Sequence, residues 1–107
     1  MKVNAASLKG WTVLEISGSV DAATAPALQA DAMGRVGAGE AKIALDVSGV
    51  DYMSSAGLRV LLMVFKALKA TDGAMCLVNP SPFVSEVLDL SGFAGIIPVT
   101  KSLEALA

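Results

Sequence analysis

The stretch Leu45-Asp-Val-Ser-Gly-Val-Asp-Tyr-Met-Ser-Ser-Ala-Gly-Leu58 leaves a greasy run, passes through a loop and enters a long apolar-periodic segment at two adjacent serines. The run itself, Ala41 to Val47, is mostly apolar on both faces, the pattern of a central strand covered from both sides. Ser54 or Ser55 is placed to cap a helix reaching to about Ala70, which stops before Thr71-Asp-Gly73. In open α/β sheets, function gathers at the carboxyl ends of strands, where a helix N-terminus offers unpaired N–H groups. A serine hydroxyl there can carry a phosphate, whose charge the positive end of the helix dipole holds. On the residues alone a plainer reading stands beside it: both serines are helix caps and nothing more. Gly57 adds one observation. Glycine in a first turn costs about 1 kcal/mol against alanine, so it points to a close approach at this spot.

Working outward, Trp11 to Ser17 alternates, with Thr12, Leu14 and Ile16 on one face and Val13, Glu15 and Ser17 on the other, as a strand does. Lys2 to Leu8 is expected to be its hairpin partner, turning at Lys9-Gly10, and Gly18 and Asp21 mark the loop that follows. Thr24-Ala-Pro opens a helix, with Thr24 as its cap, that runs to about Arg35 and ends in the Gly37 to Gly39 linker. Ala74 to Val78 reads as a second buried strand, and Ser81-Pro82 starts a short helix through Leu90 closed by Ser91-Gly92. Ile97 to Thr100 reads as an edge strand because Pro98 cannot donate to a ladder, and Ser102 is placed to cap a last helical turn. An opening hairpin followed by alternating strands and helices predicts an α/β fold: a mixed sheet with right-handed crossovers and helices on at least one face.

Composition narrows the function. A chain of 107 residues, 54% hydrophobic and 17% charged, is one domain with enough apolar material for a core. Net charge is −2 and the lysines do not cluster, so neither a nucleic-acid footprint nor a polybasic membrane patch is expected. With no histidine, the histidine-dependent acid–base, triad and mixed zinc chemistries fall away. The single Cys76 has no disulfide or CxxC partner, lies in an apolar strand as an inert thiol, and fits a reducing, cytoplasmic setting. The start of the chain lacks the apolar core of a secretory signal, and Leu58 to Leu68 is too short and too charged to insert in a membrane. A mean hydropathy of +0.65 suggests a sheet buried on much of its area or a surface covered by a partner. Trp11 and Tyr52 are expected as packing anchors, with the Tyr52 hydroxyl at the surface.

Three collinear segments resemble one family. Met53-Ser-Ser-Ala-Gly-Leu58 with the Arg-Val-Leu-Leu that follows is similar to the helix start of stand-alone STAS domains (sulphate transporter and anti-sigma-factor antagonist). Gly18-Ser-Val-Asp-Ala-Ala-Thr-Ala-Pro-Ala-Leu28 resembles that family's Gly-x-Leu-Asp loop and first helix, and Leu45-Asp-Val-Ser-Gly-Val resembles its strand end. The resemblance implies a single STAS domain over 1–107, with helices packed mainly on one face of the sheet, no enzymatic activity of its own and no cofactor or metal. It also implies an anti-sigma-factor antagonist that binds an anti-sigma factor serine kinase and releases a sigma factor. That kinase would inactivate it by phosphorylation, and a metal-dependent serine phosphatase would restore it. Ser55 matches the family's phospho-acceptor and Asp21 the loop aspartate. Ser54 stands where the family usually has aspartate, which makes it the second candidate acceptor.

The long helix offers a matching face. Leu58, Leu61, Leu62, Phe65 and Leu68 repeat at three and four and are expected to form its buried stripe. Ser55, Arg59, Met63 and Lys66 follow one another at helical spacing on another face, a surface for an acidic or mixed partner. With Asp21, Thr24, Ser54 and Gly57 they make the candidate partner-binding set on a monomer or weak dimer. The first alternative is a STAS subunit that binds the ATPase of a membrane ABC transporter. A response-regulator receiver, suggested by Asp46 and Asp51, lacks the acidic pair after the first strand and the late lysine that the fold needs. An enzyme lacks any assembled catalytic set.

Overall fold

Lys9 and Gly10 both take positive φ, 53° and 83°, in the two-residue hairpin turn whose twist suits paired strands. In the computed structural model, which describes residues 1–106, this turn joins β1 (Lys2–Leu8) antiparallel to β2 (Trp11–Val20), with Leu8 opposite Trp11. Ala107, the last residue of the expected domain, lies outside the described residues. The chain continues through α1 (Ala25–Gly37), β3 (Lys42–Met53), α2 (Ser55–Ala70), β4 (Ala74–Val78), α3 (Pro82–Ser91) and β5 (Val99–Thr100). Short 3₁₀ turns lie at Phe93–Gly95 and Leu103–Ala105. The sheet order is β1-β2-β3-β4-β5, and every pair after the hairpin is parallel. The expected mixed sheet with an N-terminal hairpin is what forms.

Side-chain alternation divides the core in two. Leu14, Ile16, Ile43, Leu45, Met75 and Leu77 pack beneath the three helices, against Leu28, Ala32, Leu61, Val64, Leu68, Val84 and Leu88. The other face carries Trp11, Val13, Ala44, Cys76 and Val78. Among the described residues none of the three α-helices covers it; Leu106 and the half-buried Leu103 do, and Lys9 Nζ fastens that end by donating to the carbonyl of Glu104 at 2.7 Å. β3 and β4 are thus buried on both sides with helices on only one. Burial pushes the Cys76 thiol up from its ordinary value, as expected for an inert buried cysteine.

Several boundaries differ from the sequence expectation. The segment 48–53, read as loop, is strand: β3 carries one extra residue between the pairs Glu15–Asp46 and Ser17–Gly49, and another between Gly18–Val50 and Ser19–Tyr52. Gly49 permits the first irregularity, since a Cβ there would sit 3.0 Å from that of Ser17. Such bulges break the alternation by which a strand is recognised. Ile97 is fully buried instead of pairing, and β5 is only two residues long. Pro98 still joins the ladder through its carbonyl, which accepts from Leu77 N at 2.9 Å. The buried stripe of α2 is Gly57, Val60, Leu61, Val64 and Leu68, rotated from the expected one. Leu58 and Phe65 pack half-buried at the edge of the core, and Leu62 is half-buried on the outer side. Val60 and Val64 are buried where the expected stripe ran through Leu58, Leu62 and Phe65, because valines at the neighbouring three-and-four spacing serve the core equally well.

Candidate functional site

Met53 ends β3 with its side chain buried, and Ser54 then turns the chain into α2 with φ −87° and ψ 175°. The Ser54 hydroxyl accepts from Gly57 N at 3.4 Å, so it caps the helix, and its own backbone N–H donates to the Val20 carbonyl at 2.9 Å. That second bond ties the start of α2 to the end of β2. Ser55 is the first helical residue and is exposed, whereas Ser54 is half-buried. Gly57 is buried directly beneath; a Cβ on it would lie 2.9 Å from both Val20 Cγ1 and Met53 Cγ. The close approach signalled by this glycine is therefore made by the ends of the chain's own second and third strands.

The loop after Val20 is built around Asp21. One carboxylate oxygen accepts from Ala23 N at 2.9 Å, Thr24 N at 3.0 Å and the Thr24 hydroxyl at 3.2 Å. These bonds, the Thr24 N–H foremost, hold the Asp21 carboxyl below its ordinary pKa. Thr24 occupies the cap position of α1 but makes no cap bond, contrary to expectation. Its oxygen accepts from Asp21 N and approaches the Ser19 carbonyl at 2.9 Å, so the hydroxyl closes the loop onto β2 instead of onto the helix. The Ser54–Val20 bond brings this loop and the α2 start to one end of the sheet.

Farther along α2, Arg59 and Lys66 are exposed and Met63 is half-buried. With Leu62 they line an open cleft of about 250 Å³, so Leu62, which the sequence reading had assigned to the core, belongs to this outer surface. Among the described residues the ion pairs are those of Arg35 with Asp31 and Glu40, and neither Arg59 nor Lys66 takes part in one. Tyr52 is 45% exposed and Phe83 41%, their ring centroids 5.5 Å apart at 37°. The Ser81 hydroxyl donates to the Val50 carbonyl at 2.6 Å and fixes the start of α3 against β3 at that point. Tyr52 thus belongs to a surface pair that sequence reading missed, whose only signal was Phe83 in the first turn after Ser81-Pro82.

Elsewhere the chemistry is thin. A polar cleft of about 230 Å³, lined by Asn4, Glu15, Ser17, Asp46 and Ser48 among others, opens on the sheet. Asp46 accepts from Ser48 N and Oγ, while Asp51 accepts from the Ser19 hydroxyl at 3.1 Å, so the two aspartates weighed for a receiver are engaged separately. Among the described residues no three His, Cys, Asp or Glu side chains gather to hold a metal ion, and no helix is long and apolar enough to cross a membrane.

Comparison with known proteins gives this geometry a family. BtrV of Bordetella bronchiseptica, named as an anti-sigma factor antagonist, is 40% identical over 107 residues, covering all of this chain and 92% of that protein. The anti-sigma-B factor antagonist of Bacillus subtilis is 30% identical over 91 residues, or 85% of this chain and 83% of that one. A crystal structure from Thermotoga maritima, described under the same antagonist name, is 20% identical, with a TM-score of 0.90 over 95% of this chain and 88% of that chain; it shares the fold. The family described as the STAS domain matches residues 2–106, and this chain belongs to it.

Proposed function

We propose that this protein is a cytoplasmic anti-sigma-factor antagonist, a non-enzymatic binding protein whose partner is an anti-sigma factor serine kinase. In this reading Ser55 is the switch. One observation carries the choice: of the two serines, Ser54 is half-buried and engaged as the helix cap, while Ser55 is exposed at the first position of α2. Phosphorylation takes place when the Ser55 oxygen attacks the γ-phosphorus of ATP. A new O–P bond forms, the bond to the bridging oxygen breaks, ADP leaves with the electron pair, and the hydroxyl proton passes to a base of the kinase. A metal-dependent serine phosphatase reverses the state by hydrolysis.

The names carried by the relatives at 40% and 30% identity support the antagonist reading over a transporter subunit. The docking surface comprises Ser54 and Ser55 over Gly57, the Asp21–Thr24 loop beside them, and Arg59, Met63 and Lys66 along α2. The unit is a single domain acting as a monomer or weak dimer. Phosphate at Ser55 adds about −1.5 to −2 charge to this surface, where the helix N-terminus tolerates it, so partner binding is lost by repulsion and bulk while the fold persists. The test is intact mass and site mapping after incubation with the kinase-type anti-sigma factor of the same genome and Mg-ATP. One phosphate on the wild type and none on Ser55→Ala is expected; a phosphate that persists in Ser55→Ala moves the acceptor, and none on either sinks the switch.

A further inference from the structure

We propose that Arg59 is the counter-ion of a phosphate on Ser55, and that this pairing withdraws Arg59 from the docking cleft beside it. The inference rests on the reading of Ser55 as the phospho-acceptor and adds how the signal reaches the rest of the surface. Ser55 and Arg59 are both exposed and lie four residues apart in α2, so they are neighbours on one helix face. The anion would be N-terminal to the cation, the favourable order for such a pair. Among the described residues the ion pairs belong to Arg35, so nothing else claims the Arg59 guanidinium. Two acids at the same end of the sheet bond elsewhere: Asp21 accepts from the N–H groups of Ala23 and Thr24, and Asp51 from the Ser19 hydroxyl. A phosphate offers three acceptor oxygens to a planar guanidinium, which can take two at once.

The same guanidinium borders the cleft of about 250 Å³ formed with Leu62, Met63 and Lys66. Two cations flanking an apolar floor suit a partner segment that presents an apolar side chain between carboxylates. Without phosphate, Arg59 is available to such a carboxylate. With phosphate, it turns toward Ser55, one wall of the cleft is withdrawn, and the positive charge there is neutralised. The helix itself need not move.

The test uses the full chain with phosphoserine incorporated at position 55 during translation, so that no kinase is required. Phosphorus NMR titration of wild type, Arg59→Gln and Arg59→Lys reads the pairing directly. The phosphate pKa is expected about 0.3 pH units lower in the wild type than in Arg59→Gln, with Arg59→Lys between them. Identical titrations would overturn the pairing. Affinity for the anti-sigma factor is then measured for wild type and Arg59→Gln, each with and without phosphate. Phosphate is expected to weaken the wild type by at least about threefold more than Arg59→Gln, the signature of coupled residues. Equal losses would overturn the withdrawal. A kinase that modifies Ser55 while the titrations coincide defeats this inference alone; a clear titration shift in a protein the kinase never modifies defeats the functional reading and leaves only the pair.

Discussion

Gly57 and Val20 meet where α2 begins against the end of β2, with a hypothetical Gly57 Cβ only 2.9 Å from Val20 Cγ1. Alanine in a helix gains about 1 kcal/mol over glycine, but here the added methyl also meets Met53 Cγ at 2.9 Å and the Val20 carbonyl at 3.2 Å. Crowding wins, because both strand ends are fixed in the core. Gly57→Ala is expected to lower stability by about 1–2 kcal/mol, read from the urea midpoint at constant m-value. An unchanged or raised midpoint would show that the junction relaxes freely.

Ser54 tests the division of labour between the two serines. Ser54→Ala removes the acceptor for Gly57 N and is expected to cost about 1 kcal/mol, while Ser54→Asp keeps a capping oxygen and stays near wild type. Both variants should still take one phosphate at Ser55 in the mass assay. Loss of modification in Ser54→Ala with the fold intact would assign the phosphate to Ser54.

Asp21 sets a pH dependence whose sign is fixed by its shift. Its carboxyl is held below the ordinary value in the folded chain by the Thr24 and Ala23 N–H groups. Its contribution is therefore present in full above the unfolded-state pKa and fades as pH falls through the lowered folded value. Asp21→Asn should be less stable than wild type near neutrality, and the gap should close in acid below about pH 4. Thermal unfolding across that range decides it; a gap that widens in acid contradicts the assignment.

The sheet face away from the three α-helices predicts an effect far from Ser55. Leu106 is 5% exposed in the cluster that includes Trp11, so Leu106→Ala is expected to cost about 2 kcal/mol and to shift Trp11 fluorescence to the red. Ser55 phosphorylation should be unaffected. Fluorescence identical to wild type would mean that Leu106 does not cover the tryptophan.

Legibility followed local chemistry. The strand Ala74–Val78 and the start of α3 after Ser81 could be read because buried runs and a serine–proline start are local signals. The second half of β3 could not, since two bulges remove its alternation. The α2 face was misread at Leu62 because leucine and valine share the helix, and only the tertiary position of Val60 and Val64 against the sheet tells which side is inward. At the site, the serine pair stood out in the chain, but the bond from Ser54 N to the Val20 carbonyl spans 34 residues and has no local trace. The pairing of Tyr52 with Phe83 is equally non-local.

That backbone bond from Ser54 to Val20, with Gly57 seated on Val20 beneath it, has a thermodynamic consequence. The β2–α1 loop and the first turn of α2 are organised before any partner arrives, so docking does not have to order them. Association with this end of the sheet should carry little conformational entropy loss on this protein's side and a correspondingly small folding-like heat-capacity change. On the proposed reading of Ser55, adding or removing a phosphate would alter the charge of a surface whose shape is already set, and the two states would exchange partners at the speed of encounter and release, with no refolding step between them.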